Sequence, residues 1–130
     1  MAAELRCKNA WEPLLYARSR VAHAAAAADL DVIDVPYLDL EDLSGMVTEA
    51  ESVRDLGFSG KGCIHPKQIS SINEVFTPND EAVANAKKII TAFKKAETGL
   101  VVIDGKLIEK PVLRHMERIV AIASRVSEKR

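Results

Sequence analysis

Two short runs, Asp31–Val35 and Lys61–His65, each end at a proline, Pro36 and Pro66, and each lead through a loop toward a helix. Proline cannot donate to a β-ladder, so it closes a strand. Asp-Val-Ile-Asp-Val is rich in β-branched residues, which favour the pleated sheet. Helical periodicity before, between and after the two runs sets the order helix–strand–helix–strand–helix. That alternation is an α/β pattern with a parallel sheet. Parallel strands are normally covered on both faces and sit among several neighbours. Two strands cannot meet that need or close a barrel. Partner strands are therefore expected upstream, from a longer parent chain or from another copy.

The helical segments carry their own signals. Residues 13–28 predict a helix with Pro13 at its first position and Leu14, Ala17, Val21, Ala24 and Ala28 on the buried face. A second helix starts at the N-cap Asp42, buries Leu43, Met46, Val47, Ala50 and Val53, and closes on Gly57. A short helix is expected over 67–75. Thr77-Pro78-Asn79-Asp80 predicts a further helix start, with Thr77 as cap and Pro78 first, running to about Ala96 over Val83, Ala86, Ile90 and Phe93. Asp104-Gly105 between two apolar runs predicts a hairpin. Pro111 then opens a final helix with Leu113, Met116, Ile119, Val120, Ile122, Ala123 and Val126 on one stripe.

Composition narrows the functional classes. Eighteen basic and nineteen acidic residues leave a net charge of −1, which gives no electrostatic case for nucleic acid or an anionic membrane. The apolar run around Ala24–Ala28 is far below the roughly 18 residues of a membrane span. No apolar core of signal-peptide length opens the chain. Cys7 and Cys63 form no C-x-x-C pair and are expected as reduced thiols of a cytoplasmic protein. The terminal Glu128-Lys129-Arg130 is expected as a solvated helix end.

In a β/α barrel the loops after the strands build the active site. Asp34, Tyr37, Asp39, Asp42, Lys61 and His65 are the polar candidates there. Each has a plainer reading. Asp39 and Asp42 suit the positive start of the next helix. His65 is either a general base or a local turn-former before Pro66. Lys61 either meets an anionic group or is an exposed, solvated lysine. His23 and His115 have no partner at a metal spacing, and Trp11 is expected as a packing anchor.

From Tyr16 onward the residues resemble the citrate lyase beta-subunit-like family, the HpcH/HpaI aldolase and malyl-CoA or citramalyl-CoA lyase type. The resemblance rests on Tyr16-Ala17-Arg18-Ser19-Arg20, Ile33-Asp34-Val35-Pro36-Tyr37 with Asp39, and Glu41-Asp42-Leu43-Ser44-Gly45 followed by Glu49-Ala50-Glu51. It continues through Leu56-Gly57-Phe58-Ser59-Gly60-Lys61, Ile64-His65-Pro66-Lys67-Gln68, Phe76-Thr77-Pro78 and Asp104-Gly105-Lys106-Leu107-Ile108-Glu109-Lys110-Pro111. The pairing of G-F-x-G-K-x-x-I-H-P-x-Q with a later D-G-x-x-I-x-x-P is specific.

The resemblance implies the C-terminal portion of a (β/α)8 TIM-type barrel plus a C-terminal hairpin and helix. Residues 1–97 are then the last βα units, incomplete as a barrel, and 98–130 the hairpin–helix segment. It implies a Mg2+-dependent carbon–carbon lyase acting on 3-hydroxyacyl thioesters carried by CoA or an acyl-carrier arm, where the ion stabilises the developing enolate. The family's metal-binding Glu and Asp are expected upstream. The stretch Met1-Ala2-Ala3-Glu4-Leu5 resembles the segment just past that Asp, so no metal ligand is expected in this chain. Glu109 matches an acid, usually Asp, that acts in a neighbouring subunit of a homo-oligomer. The plainer alternative is that it caps the final helix. Pro36, Tyr37 and Asp39 match the loop beside the thioester arm. The chain alone is expected to be catalytically incomplete. The alternatives are a non-catalytic docking module, the remnant of a broken gene or, more weakly, a helical adaptor.

Overall fold

A computed structural model describes residues 2–96 and 100–128. Two compact units divide the chain, Met1–Phe76 and Thr77–Arg130. Lys129 and Arg130 of the charged tail, and the expected boundary between residues 97 and 98, lie outside the described residues.

In the first unit, helix α1 (Ala2–Leu5) leads to α2 (Trp11–Ala27), strand β1 (Ile33–Asp34), α3 (Leu43–Asp55), strand β2 (Gly60–Lys61), a 3-10 turn (Pro66–Gln68) and α4 (Ile69–Phe76). The strands pair in parallel, Ile33 opposite Gly60 and Asp34 opposite Lys61. Helix α2 starts earlier than expected, which puts Pro13 at its third residue. The position is still harmless, because the first turn's N–H groups have no partner within the helix.

Both long helices end in the same way. Past α3, Gly57 takes a positive φ of 104°. Its N–H donates to the Arg54 carbonyl and that of Phe58 to the Val53 carbonyl. This is a Schellman motif, sealed by Val53 and Phe58 sharing one core cluster. Past α2 the same two bonds run from Asp29 to Ala26 and from Leu30 to Ala25, with Asp29 left-handed at φ 54°.

The core of this unit gathers Ala22, Val53 and Phe58, with Trp11, Val32, Leu56 and Phe76 packed around them. The expected stripe on α2 is corrected. Its buried residues are Leu14, Arg18 and Ala22, while Val21 is exposed. Hydrophobic spacing pointed one position away because the inward residue is an arginine, which finds carboxylates to pair with. The expected strand 61–65 is corrected too. Pairing covers only Gly60–Lys61, with one more bond from the Gly62 N–H to the Asp34 carbonyl. The Ile64 N–H then turns to the Gln68 side chain at 2.9 Å, and Pro66 has no N–H to give.

The second unit comprises α5 (Asp80–Lys95), the antiparallel hairpin β3 (Val101–Ile103) and β4 (Lys106–Ile108), and α6 (Lys110–Glu128). The cap of α5 is Asn79, whose side chain accepts from the Ala82 N–H at 2.8 Å. Thr77 and Pro78 precede it, which corrects the expected cap. Asp104 and Gly105 both have positive φ, 49° and 75°, the demand of a tight I′-type turn. Ile89, Phe93 and Ile108 form the core, flanked by Val101, Ile103, Leu113 and Met116. Val102 and Leu107 lie opposite each other on the other face and are exposed.

Candidate functional site

The chemistry-bearing residues of the first unit fall into two layers around β1 and β2. The inner layer is ionic. Arg18 from α2 donates from Nε and Nη2 to the two carboxylate oxygens of Asp34, both at 3.1 Å. Its Nη2 also lies 3.2 Å from Glu49 Oε1 on α3. Lys61 Nζ donates to Asp34 Oδ2 at 2.7 Å, to Glu49 Oε1 at 2.7 Å and to the Val35 carbonyl at 2.9 Å. All three ammonium protons are thereby used. Trp11 lies against the guanidinium, 5.2 Å from ring centroid to Cζ. Two cations and two anions are thus locked together where Arg18, Asp34 and Lys61 are buried.

Lys61 is therefore neither a solvated lysine nor free for an anionic ligand, and Asp34 is not free for substrate chemistry. The reason is alternation. Side chains of successive strand residues point to opposite faces, and this register turns Asp34 and Lys61 together toward the helices. A buried cluster of this kind adds little net stability, because desolvation offsets attraction. It does fix register. A slip of one residue would bury Ile33 there and expel Asp34.

The outer layer is the pair of loops that follow the strands. The Tyr37 hydroxyl donates to Asp42 Oδ2 at 2.8 Å. Asp42 Oδ1 accepts from the Gly45 N–H at 2.8 Å and the Ser44 hydroxyl at 3.0 Å, so Asp42 caps α3 as expected. The Gly45 N–H, then the Tyr37 and Ser44 hydroxyls, hold the Asp42 carboxyl below its usual range. The same bond, with Tyr37 donating to a carboxylate, raises the Tyr37 phenol above its ordinary value. Gly45 is required here, because a Cβ would run into the Asp42 carboxylate and the Tyr37 hydroxyl. Asp39 Oδ1 accepts from the N–H groups of Glu41 at 2.9 Å and Asp42 at 3.3 Å, so its side chain shapes the turn.

Gln68 clamps the two loops. It is fully buried, accepts from the Ile64 N–H and donates from Nε2 to the Tyr37 carbonyl at 3.0 Å. Pro36 sits against Gly62, where an added Cβ would come within 3.1 Å of its ring. His65 Nδ1 accepts from the Lys67 N–H at 3.2 Å, the local turn role. Reading the sequence missed Arg18, Glu49 and Gln68 as functional positions, although all three stand within the motif segments. An arginine at core spacing on α2 was the available signal.

Glu109 lies in the second unit, exposed, with its carbonyl accepting from the N–H groups of Val112 and Leu113 at the start of α6. Among the described residues, no group of three His, Cys, Asp or Glu side chains is placed to hold a metal ion. The carboxylates of buried Asp34 and half-buried Glu49 are taken by Arg18 and Lys61, so the described residues do not fit a divalent ion. Among the same residues, no helix is long and apolar enough to cross a membrane.

A parallel βαβ unit whose two strand-end loops are cross-braced by polar side chains is the architecture of an α/β domain with its working surface at the carboxyl ends of the strands. The family follows from comparison. Residues 2–66 match the HpcH/HpaI aldolase/citrate lyase family profile, and the chain belongs to that family. It is 33% identical to the citrate lyase subunit beta of Leuconostoc mesenteroides subsp. cremoris over 87% of its own length and 38% of that protein. It is 35% identical to the mitochondrial citramalyl-CoA lyase of Rattus norvegicus over 91% of its length and 36% of the relative. The crystal structure of CitE from Mycobacterium tuberculosis, in complex with magnesium, acetoacetate and coenzyme A, superimposes with a TM-score of 0.78 at 28% identity. That match covers 95% of this chain and 49% of CitE. The chain thus spans little more than a third of the curated relatives it matches.

Proposed function

We propose that this chain is the C-terminal part of a Mg2+-dependent carbon–carbon lyase acting on 3-hydroxyacyl thioesters of the citryl-, malyl- or citramalyl-CoA type. Residues 1–97 supply the last βα units of a barrel and 98–130 the hairpin–helix segment. The observation that carries the reading is the braced loop pair after β1 and β2 in a chain of the citrate lyase family. Pro36, Tyr37 and Asp39 form the wall beside the thioester arm. Tyr37 and Asp39 spend their polar groups on the loop itself, so their part is to hold its shape. Glu109 serves as an acid/base in the active site of a neighbouring copy, which makes the complete enzyme a homo-oligomer. Its carboxylate is one methylene longer than the family's usual Asp. A misplacement of about 1 Å can cost on the order of a hundredfold in rate.

In the complete enzyme Mg2+ supplies Lewis-acid stabilisation of the enolate. The described residues of this chain do not assemble a site for it. The test is turnover of malyl-CoA, citramalyl-CoA and citryl-CoA by the purified chain with Mg2+, alone and after co-expression with the amino-terminal half of a family member. The expected outcome is no cleavage alone and cleavage on complementation. Robust turnover by the chain alone would refute the reading.

A second reading, a non-catalytic docking module, is favoured by one observation. Ile33, Val35 and Ile64, on and beside the strands, are exposed. Binding to a family barrel half without any gain in its turnover would select it over the lyase.

A further inference from the structure

Four polar or charged residues are buried among the described residues: Arg18, Asp34, Lys61 and Gln68. The first three pair with one another. Gln68 stands apart. It is 0% exposed, uncharged and the only glutamine in the chain. Burying a carboxamide is unfavourable unless its ends are hydrogen-bonded. An apolar side chain of similar length would fill the space without that demand. What the carboxamide alone supplies is a donor and an acceptor side by side.

Both are spent on main chain, and on different loops. The Ile64 N–H, past β2, needs an oxygen and donates to Gln68 Oε1 at 2.9 Å. The Tyr37 carbonyl, past β1, needs a donor and accepts from Nε2 at 3.0 Å. The two main-chain partners therefore fix which way the carboxamide points. Gln68 is itself held firmly. Its own N–H donates to the His65 carbonyl at 3.0 Å, and it leads directly into α4, whose Ile72 is buried.

Tyr37 is thus gripped from two sides. Gln68 holds its carbonyl from the start of α4, and Asp42 holds its hydroxyl from the start of α3. Two further ties join the same loops, and both are weaker constraints. Lys67 Nζ lies 3.0 Å from Glu41 Oε1, but the Glu41 side chain is 92% exposed. An exposed pair of long side chains holds little. The contact of Pro36 with Gly62 limits approach without fixing an orientation.

We propose that Gln68 is the positioning residue of the wall formed by Pro36, Tyr37 and Asp39. Its carboxamide sets where the Tyr37 main chain lies, and through it how tightly the wall takes the arm of a thioester. The inference rests on the placement of that wall beside the thioester arm given under the proposed function. Gln68 acts through Tyr37 and not on the reacting atoms. Its effect falls on binding shared by ground and transition states, and so on KM more than on kcat.

The first arm of the test uses the full 130-residue chain and needs no substrate. In the unsubstituted chain the Gln68 carboxamide protons should exchange at least about tenfold more slowly than those of the exposed Asn85. Gln68→Met keeps the bulk and removes both bonds. Exchange at the Ile64 amide should then quicken about tenfold or more, and the Tyr37 carbonyl carbon resonance should move. Gln68→Glu separates the two ends. An ionised carboxylate still accepts from Ile64 but has no proton for Tyr37. At neutral pH the Ile64 amide should stay protected while the Tyr37 carbonyl resonance moves. As acid protonates the introduced carboxyl, that resonance should return toward its original position. A side chain that only fills space would show no such asymmetry.

The second arm adds the amino-terminal half of a family member and follows citramalyl-CoA cleavage with Mg2+. Gln68→Met should raise KM about tenfold and leave kcat within about twofold. Rapid carboxamide exchange in the unsubstituted chain, an Ile64 amide indifferent to Gln68→Met, or a Tyr37 carbonyl resonance that ignores Gln68→Glu would each overturn the proposal. So would a loosened loop with an unchanged KM. Absence of turnover by the complemented, unsubstituted chain would instead remove the lyase reading, and the first arm would still decide whether Gln68 positions the loop.

Discussion

The two β-pairs of this molecule solve the same problem by opposite means. The β3–β4 hairpin is built from neighbours in sequence. A two-residue turn at Asp104-Gly105 brings the strands together, and one apolar face closes on α5 and α6. The β1–β2 pair joins residues 27 apart and is held by charge as much as by apolar packing. Its inward residues are Asp34 and Lys61, and Arg18 and Glu49 complete the cluster. A local turn specifies register cheaply through backbone geometry. A long crossover lacks that device, and buried complementary charges provide it here, because any slip leaves an ion unpaired. The loops that carry the proposed function follow the second kind of pair.

Lys61→Met separates the two solutions most sharply. It leaves Asp34 and Glu49 with Arg18 as their only cation. Removing one partner of a buried ion pair costs about 3–5 kcal/mol. Trp11 is the only tryptophan in the chain, so its fluorescence in a urea titration reports the first unit. Its midpoint should fall steeply while hydrogen exchange in α5 and the hairpin stays unchanged. Equal loss in both units would break the comparison.

Gly45→Ala tests the brace rather than the charges. The added methyl forces Asp42 and Tyr37 apart, an overpacking cost of about 1–3 kcal/mol. The same fluorescence titration should register it. An unchanged midpoint would mean that the close approach of Gly45, Asp42 and Tyr37 contributes nothing to stability.

In the second unit, Asn79→Ala removes the cap of α5 and should cost about 1 kcal/mol. Exchange of the amides in the first turn of α5 should quicken, with the Trp11 signal unaffected. Movement of that signal would show that the two units do not unfold separately.

The smallest effect is a titration. In a Tyr16→Phe background, absorbance near 295 nm should follow Tyr37 alone, with a midpoint above the ordinary value of 10.0. Asp42→Asn should bring it back down. A phenol raised in the folded state contributes stability that is present below its unfolded value and is lost as pH rises through the folded one. For Asp42, lowered from 3.8, the sign reverses. Its contribution is present above the unfolded value and is lost as pH falls through the folded one. A Tyr37 midpoint unmoved by Asp42→Asn would remove the bond between them from solution.

Much of the helical structure was legible because its signals are local. Asp42 as cap, Gly57 as terminator, the stripe Met46, Ala50 and Val53, and the Asp104-Gly105 turn all stand where short-range rules put them. Two of the boundaries that moved did so because a competing local partner took the bond. Asn79 outcompeted Thr77 because its carboxamide oxygen reaches the Ala82 N–H. The strand expected to run to His65 stopped at Lys61 because Gln68 captured the next free amide.

The candidate site was legible as segments and not as roles. Tyr37, Asp39 and His65 are where the motifs put them, but their side chains turn out to build the loops. Arg18 was passed over and Lys61 misread for one reason: charged residues default to solvent unless a partner is known, and a sequence does not display partners that lie far along the chain.

By itself the sequence determined the element order, the parallel character of the first pair, the hairpin and the family, because these follow from periodicity, turn chemistry and motif spacing within a few residues. Only the tertiary structure decided which charges go inside. Burying an arginine and a lysine is unfavourable for either alone and tolerable once Asp34 and Glu49 arrive from other elements, and that meeting exists only in the folded chain.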